Sequence, residues 1–82
     1  MCVISENIKK VAEHYKTLGY YIHLNFSLPW LAINDRNNDS VFFMQEHECT
    51  EFLNEADKVA AEFDVSRDEA IFYLVDQTGI LE

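Results

Sequence analysis

Tyr20-Tyr21-Ile22-His23-Leu24-Asn25-Phe26, then Trp30-Leu31-Ala32-Ile33, then Ser40-Val41-Phe42-Phe43-Met44-Gln45 follow one another within residues 20–45. In the first segment Ile22, Leu24 and Phe26 alternate with Tyr21, His23 and Asn25, the period-two pattern of a half-buried strand. Ser27-Leu28-Pro29 turns the chain, and Pro29 sits where a strand can only begin or run at an edge. Asn34-Asp35-Arg36-Asn37-Asn38-Asp39 is the clearest turn in the sequence, because Asn and Asp tolerate left-handed backbone and cap their own turns. Three short strands joined this tightly read as an antiparallel meander.

Helical patterns flank the meander. Ile8, Val11, Ala12, Tyr15 and Leu18 recur at helical spacing, with Ser5 as a candidate N-cap and Gly19 where a helix end commonly needs positive φ. This predicts a helix over about residues 5–18. A second helix is expected from near Cys49 or Thr50, burying Phe52, Leu53, Ala56, Val59, Ala60 and Phe63. Its opposite face carries Glu51, Glu55, Lys58 and Glu62. Asp64-Val65 breaks it, and Ser66-Arg67-Asp68-Glu69 matches a capping box that opens a third helix. Ile71, Phe72, Leu74, Val75 and Thr78 form that helix's apolar side, and Gly79 ends it. The expected architecture is α+β, in the order α-β-β-β-α-α: a three-stranded antiparallel meander packed against helices, one domain over residues 1–82.

With 49% hydrophobic and 13% aromatic residues, the chain has the material for a core, unlike a disordered acidic tail. No apolar stretch approaches the roughly 18 residues that span a bilayer. Met1-Cys2-Val3-Ile4-Ser5-Glu6 lacks the basic-then-apolar pattern of a signal peptide. A cytoplasmic location follows as the expectation, with Cys2 and Cys49 as ordinary reduced thiols.

Fifteen acids against six bases give a net charge of −9. This argues against direct binding to nucleic acid or to an anionic membrane, both of which require a basic surface. The charge is uneven. Residues 1–33 hold two acids and three lysines, a net of +1, while residues 34–82 hold thirteen acids and three bases, a net of −10. Glu51 and Glu55 stand one helical turn apart, where like charges repel. Tolerance of that repulsion leaves two readings: a functional acidic face, and the plainer one of a solvated face.

Signs of catalysis are few. The two glycines, Gly19 and Gly79, both read as helix stops, so no phosphate-cradling loop and no Gly-x-Ser-x-Gly elbow exists. His47-Glu48-Cys49-Thr50-Glu51 is the densest group of potential metal ligands, but it lacks the paired spacing of zinc sites. His47 and Cys49 lack a third, orienting group for nucleophilic work. The segment reads as a polar loop leading into the second helix. No catalytic residue, metal or cofactor is expected. Trp30, Phe42, Phe43, Phe52, Phe63 and Phe72 read as core, with Tyr20, Tyr21 and Trp30 as candidates for an exposed sheet face.

In size, element order and charge the chain resembles the small acidic proteins of phages and other mobile elements, including anti-CRISPR and anti-restriction proteins, some of which imitate nucleic acid. One anti-CRISPR family that blocks an RNA-guided nuclease has a similar helix, three-strand meander and two-helix order with an acidic surface. The likeness rests on no diagnostic motif. It implies an inhibitor whose carboxylates stand where phosphates sit in the cleft of a basic host protein. The residues expected to meet that partner are Asp35 and Asp39 in the hairpin loop and Glu48, Glu51, Glu55 and Glu62 along the second helix. The alternative is a protein–protein adaptor, or a homodimer, that uses an apolar and aromatic sheet face.

Overall fold

Residues 3–81 are described in the computed structural model of the protein. They form α1 (Val3–Thr17), β1 (Tyr21–Asn25), β2 (Trp30–Asn34), β3 (Ser40–Met44), α2 (Glu46–Phe63) and α3 (Arg67–Asp76). The sheet runs β1-β2-β3 with both pairings antiparallel. Side chains alternate across a strand, and the register places Tyr21 opposite Asn34, His23 opposite Ala32, Asn25 opposite Trp30, and Ala32 opposite Phe43. These residues share the outer face. Ile22, Leu24, Leu31, Ile33, Phe42 and Met44 share the inner face and pack on the core beneath the helices.

The core centres on α3, which packs against both α1 and α2. Ala70, Ile71, Phe72 and Val75 of α3 are buried against Ala12 and Tyr15 of α1 and Cys49 and Ala56 of α2. The rings of Tyr15 and Phe72 stack with centroids 5.9 Å apart and planes 16° from parallel. Tyr15 also donates its hydroxyl to Asp76 Oδ1 at 2.6 Å, so a single side chain ties α1 to α3 by an apolar and a polar contact. At the far end of α1, Gly19 holds φ +92° with the Arg36 side chain packed against it: a Cβ there would fall 2.9 Å from Arg36 Cβ.

Several sequence expectations need correction. Helix α1 starts at Val3, so Ser5 is an interior residue, buried, rather than an N-cap. Leu18 falls beyond the helix and is exposed. Helix α2 starts at Glu46, and the segment His47–Glu51 is helix, not loop. Gln45 enters in extended backbone without a side-chain cap, while Glu46 and Glu48 lie in the first turn, where carboxylates complement the helix dipole. The capping box at α3 half forms. Ser66 Oγ accepts from the Glu69 amide at 3.1 Å, but Glu69 does not complete the reciprocal bond, and its Oε2 is buried without a partner. Helix α3 then ends at Asp76, leaving Thr78 in the following turn, where its hydroxyl donates to the Val75 carbonyl at 2.6 Å.

Two aromatics depart from their expected places. Phe26 does not continue the inner face of β1. Asn25 Oδ1 accepts from the amides of Ser27 (3.0 Å) and Leu28 (3.5 Å), and this side-chain turn ends the strand and leaves Phe26 88% exposed. Phe43 is 54% exposed, because neighbours in a strand point to opposite faces and Phe42 takes the inward position. Cys2, read as an ordinary thiol, lies outside the described residues. No helix among those described is long and apolar enough to cross a membrane.

Candidate functional site

The four α2 carboxylates share one stripe. Glu48, Glu51, Glu55 and Glu62 are spaced by three, four and seven residues, which returns each to the same side of a helix of 3.6 residues per turn. All four are exposed. The buried side of α2 explains the placement: Cys49 and Ala56 are fully covered, and Phe52, Leu53, Val59 and Ala60 are half-buried against the core. The one ion-pair contact in this stripe is His47 Nε2 to Glu48 Oε1 at 3.8 Å, both exposed, and it is ionic only when His47 is protonated. No ion pair engages Glu51, Glu55 or Glu62 among the described residues, where the other pair is Arg67 with Asp57. The stripe therefore presents uncompensated negative charge, relieved locally by Lys58 alone.

The hairpin acids are arranged differently. Asp35 Oδ1 accepts from the amides of Asn37 (2.9 Å) and Asp39 (3.1 Å). The Asp35 amide donates to the Asp39 carbonyl at 3.0 Å, and Asn38, at φ 66°, donates its amide to the Asp35 carbonyl at 2.9 Å. Around this knot Ser40 Oγ donates to Asn34 Oδ1 at 3.0 Å, Asn34 Nδ2 donates to Asn38 Oδ1 at 3.2 Å, and the Tyr21 hydroxyl also donates to Asn38 Oδ1. Asp35 is thus a turn-forming residue with one carboxylate oxygen committed to backbone. Asp39 is exposed. No hydrogen bond or ion pair links either to the α2 stripe among the described residues.

Sequence reasoning missed the cavity at the β1–β2 turn. About 220 Å³ in volume, it is lined by Leu24, Asn25, Phe26, Pro29, Leu53 and Arg67. Ligand sites for drug-sized molecules run to roughly 300–1,000 Å³, and this cavity falls below that range. Its one charged wall is occupied: Arg67 Nε lies 2.9 Å from Asp57 Oδ1, and Nη2 donates to Asp57 Oδ2 at 3.4 Å. Half-exposed on both sides, that pair contributes at most about 1 kcal/mol.

Cys49 is fully buried in the first turns of α2. Burial raises its thiol pKa, and the Arg67 charge opposes this more weakly. A raised folded-state pKa means that stability is intact below the ordinary thiol range and falls as pH rises through it. In a Cys2→Ser background, where Cys49 is the sole cysteine, iodoacetamide at pH 8 is expected to modify Cys49 no faster than the protein opens. Rapid labelling of folded protein would contradict the burial. No group of three or more His, Cys, Asp or Glu side chains among the described residues is placed to hold a metal ion.

The outer sheet face is the other distinct surface. Trp30 and Phe43 bring their rings to 5.8 Å across β2 and β3, and Tyr21 meets His23 edge-on at 5.0 Å along β1. Tyr21, His23 and Phe43 are exposed and Trp30 is half-buried, with Phe43 in particular 54% exposed. Against known families, curated proteins and solved structures the chain finds no match, so function is argued from residues and geometry.

Proposed function

We propose that this chain is a non-catalytic binding protein, an inhibitor that covers a basic, nucleic-acid-binding surface of a host protein with the acidic stripe of α2. The observation that carries the reading is the exposed alignment of Glu48, Glu51, Glu55 and Glu62 with so little neutralising charge beside it. Four carboxylates along one helix side repel one another, and an opposing row of Lys or Arg turns that cost into attraction. Opposite charges also steer encounter and speed association at low salt. Asp39 is a further exposed acid, and Asp35 shapes the loop that carries it. The resemblance in size, element order and charge to anti-CRISPR and anti-restriction proteins points the same way. Salt tests it: a partner captured from cells on the immobilised chain is expected to be released between low and high salt, since exposed charge pairs are screened. Retention through the high-salt wash would contradict it.

A second reading has its own observation. The uncovered aromatic face, with Trp30 against Phe43, is the kind of surface that supplies binding energy in protein interfaces. An adaptor docking there would hold its partner regardless of salt.

A further inference from the structure

From Thr17 to Asn34 the chain runs eighteen residues without a single Asp, Glu, Lys or Arg, in a molecule of net charge −9. This run builds β1, the β1–β2 turn and β2. β1 is an edge of the sheet. Edge strands expose unpaired N–H and C=O groups, which proteins usually guard with charge, proline, a bulge or a covering element. Tyr21–Asn25 has no charge and no proline. The sheet's register shift lies between β2 and β3, away from it, and no helix packs extensively along it. Among the described residues, none of the backbone hydrogen bonds outside the helices and sheet involves Tyr21–Asn25.

We infer that β1 pairs antiparallel with β1 of a second copy, joining two three-stranded sheets into one of six strands. In the register that matches all five residues, His23 lies opposite its own copy and Tyr21 opposite Asn25. Paired positions then face the same side, so the aromatic outer faces run on continuously. Charge selects both the strand and the occupant. β3 is the other edge, but Asp39 and Glu46 flank it, so pairing β3 with its copy would gather an acid from each chain at both ends of the shared ladder, where no base offsets them. At β1 a copy supplies the same uncharged edge, and two chains of −9 meet without opposing acids. The inference stands apart from the acidic-stripe reading, since no α2 carboxylate takes part in it.

Sedimentation equilibrium of the full chain at pH 7.5, up to roughly 1 mM to capture weak association, tests it. The expected result is a dimer, twice the 9.6 kDa of one chain. His23→Lys sets two ammonium groups opposite one another across the new pairing and is expected to weaken association at least about tenfold. Phe43→Lys, two strands from the edge, is expected to associate like the parent. Circular dichroism checks that both variants fold. A monomer at every concentration overturns the proposal and leaves the edge to a strand of another protein. Undiminished association of His23→Lys also overturns it, as does equal disruption by Phe43→Lys, which would indicate face-to-face stacking of the sheets.

Discussion

Phe72→Ala is expected to remove most of the folding stability. Phe72 is buried at the centre of α3 and stacks on Tyr15 of α1, so its loss opens a cavity where α3 packs on α1. Phe→Ala changes at buried sites cost about 3–5 kcal/mol. At roughly 0.05–0.15 kcal/mol per residue, a chain of this length has a total of only about 4–12 kcal/mol. Chemical denaturation read by circular dichroism should show a midpoint far below the parent's, or no folded baseline at all. A loss under about 1 kcal/mol would mean that the helices do not pack around this residue.

The place of Phe72 in the core was legible in the sequence, as was the whole element order. Helical spacing in α1, alternation in β1 and the Asn- and Asp-rich loop each have one reading. The failures share a physical source: side chains that act on backbone. Asn25 ends β1 by capping the next turn, and nothing in the apolar pattern of Ile22, Leu24 and Phe26 signals that Phe26 will be swung outward. Phe42-Phe43 looks like core as a pair, yet a strand buries only one of two neighbours. The start of α2 was hidden because His47-Glu48-Cys49-Thr50-Glu51 is polar save for Cys49, so its helical period shows only once Cys49 is known to be buried.

The acidic stripe was readable in part. Spacing puts Glu51, Glu55 and Glu62 on one face of the second helix, and Glu48, expected beside them as a partner-binding acid, joins that face because α2 starts at Glu46. That an Asx residue caps the hairpin turn was readable, but not that Asp35 rather than Asp39 does so, because the two are the same letter. Only the bonds from Asp35 to the Asn37 and Asp39 amides distinguish them.

Glu51→Lys combined with Glu55→Lys is expected to abolish partner binding while leaving the fold intact. Both side chains are exposed and make no ion pair among the described residues, so folding stability should stay within about 0.5 kcal/mol of the parent, as for ordinary surface changes. Each reversal removes one negative charge and adds one positive, so the pair moves the net charge from −9 to −5. Against a basic surface the change replaces attraction with repulsion, and like-charge juxtaposition costs several kcal/mol. Affinity is expected to fall at least about a hundredfold, with the association rate dropping as well. The matching change on the sheet, Phe43→Lys, is expected to leave affinity for a basic partner unchanged or slightly reduced. The opposite ranking would assign the interface to the aromatic face.

The most direct test of the central claim is competition. The captured partner is bound to duplex DNA or structured RNA carrying a fluorophore, and this chain is titrated in at low salt while anisotropy is followed. If the α2 carboxylates occupy the phosphate-binding surface, the nucleic acid is displaced in full, and the Glu51→Lys/Glu55→Lys variant displaces none of it. If partner, nucleic acid and this chain form a ternary complex with anisotropy undiminished, the acidic stripe does not take the place of phosphates and the account is wrong.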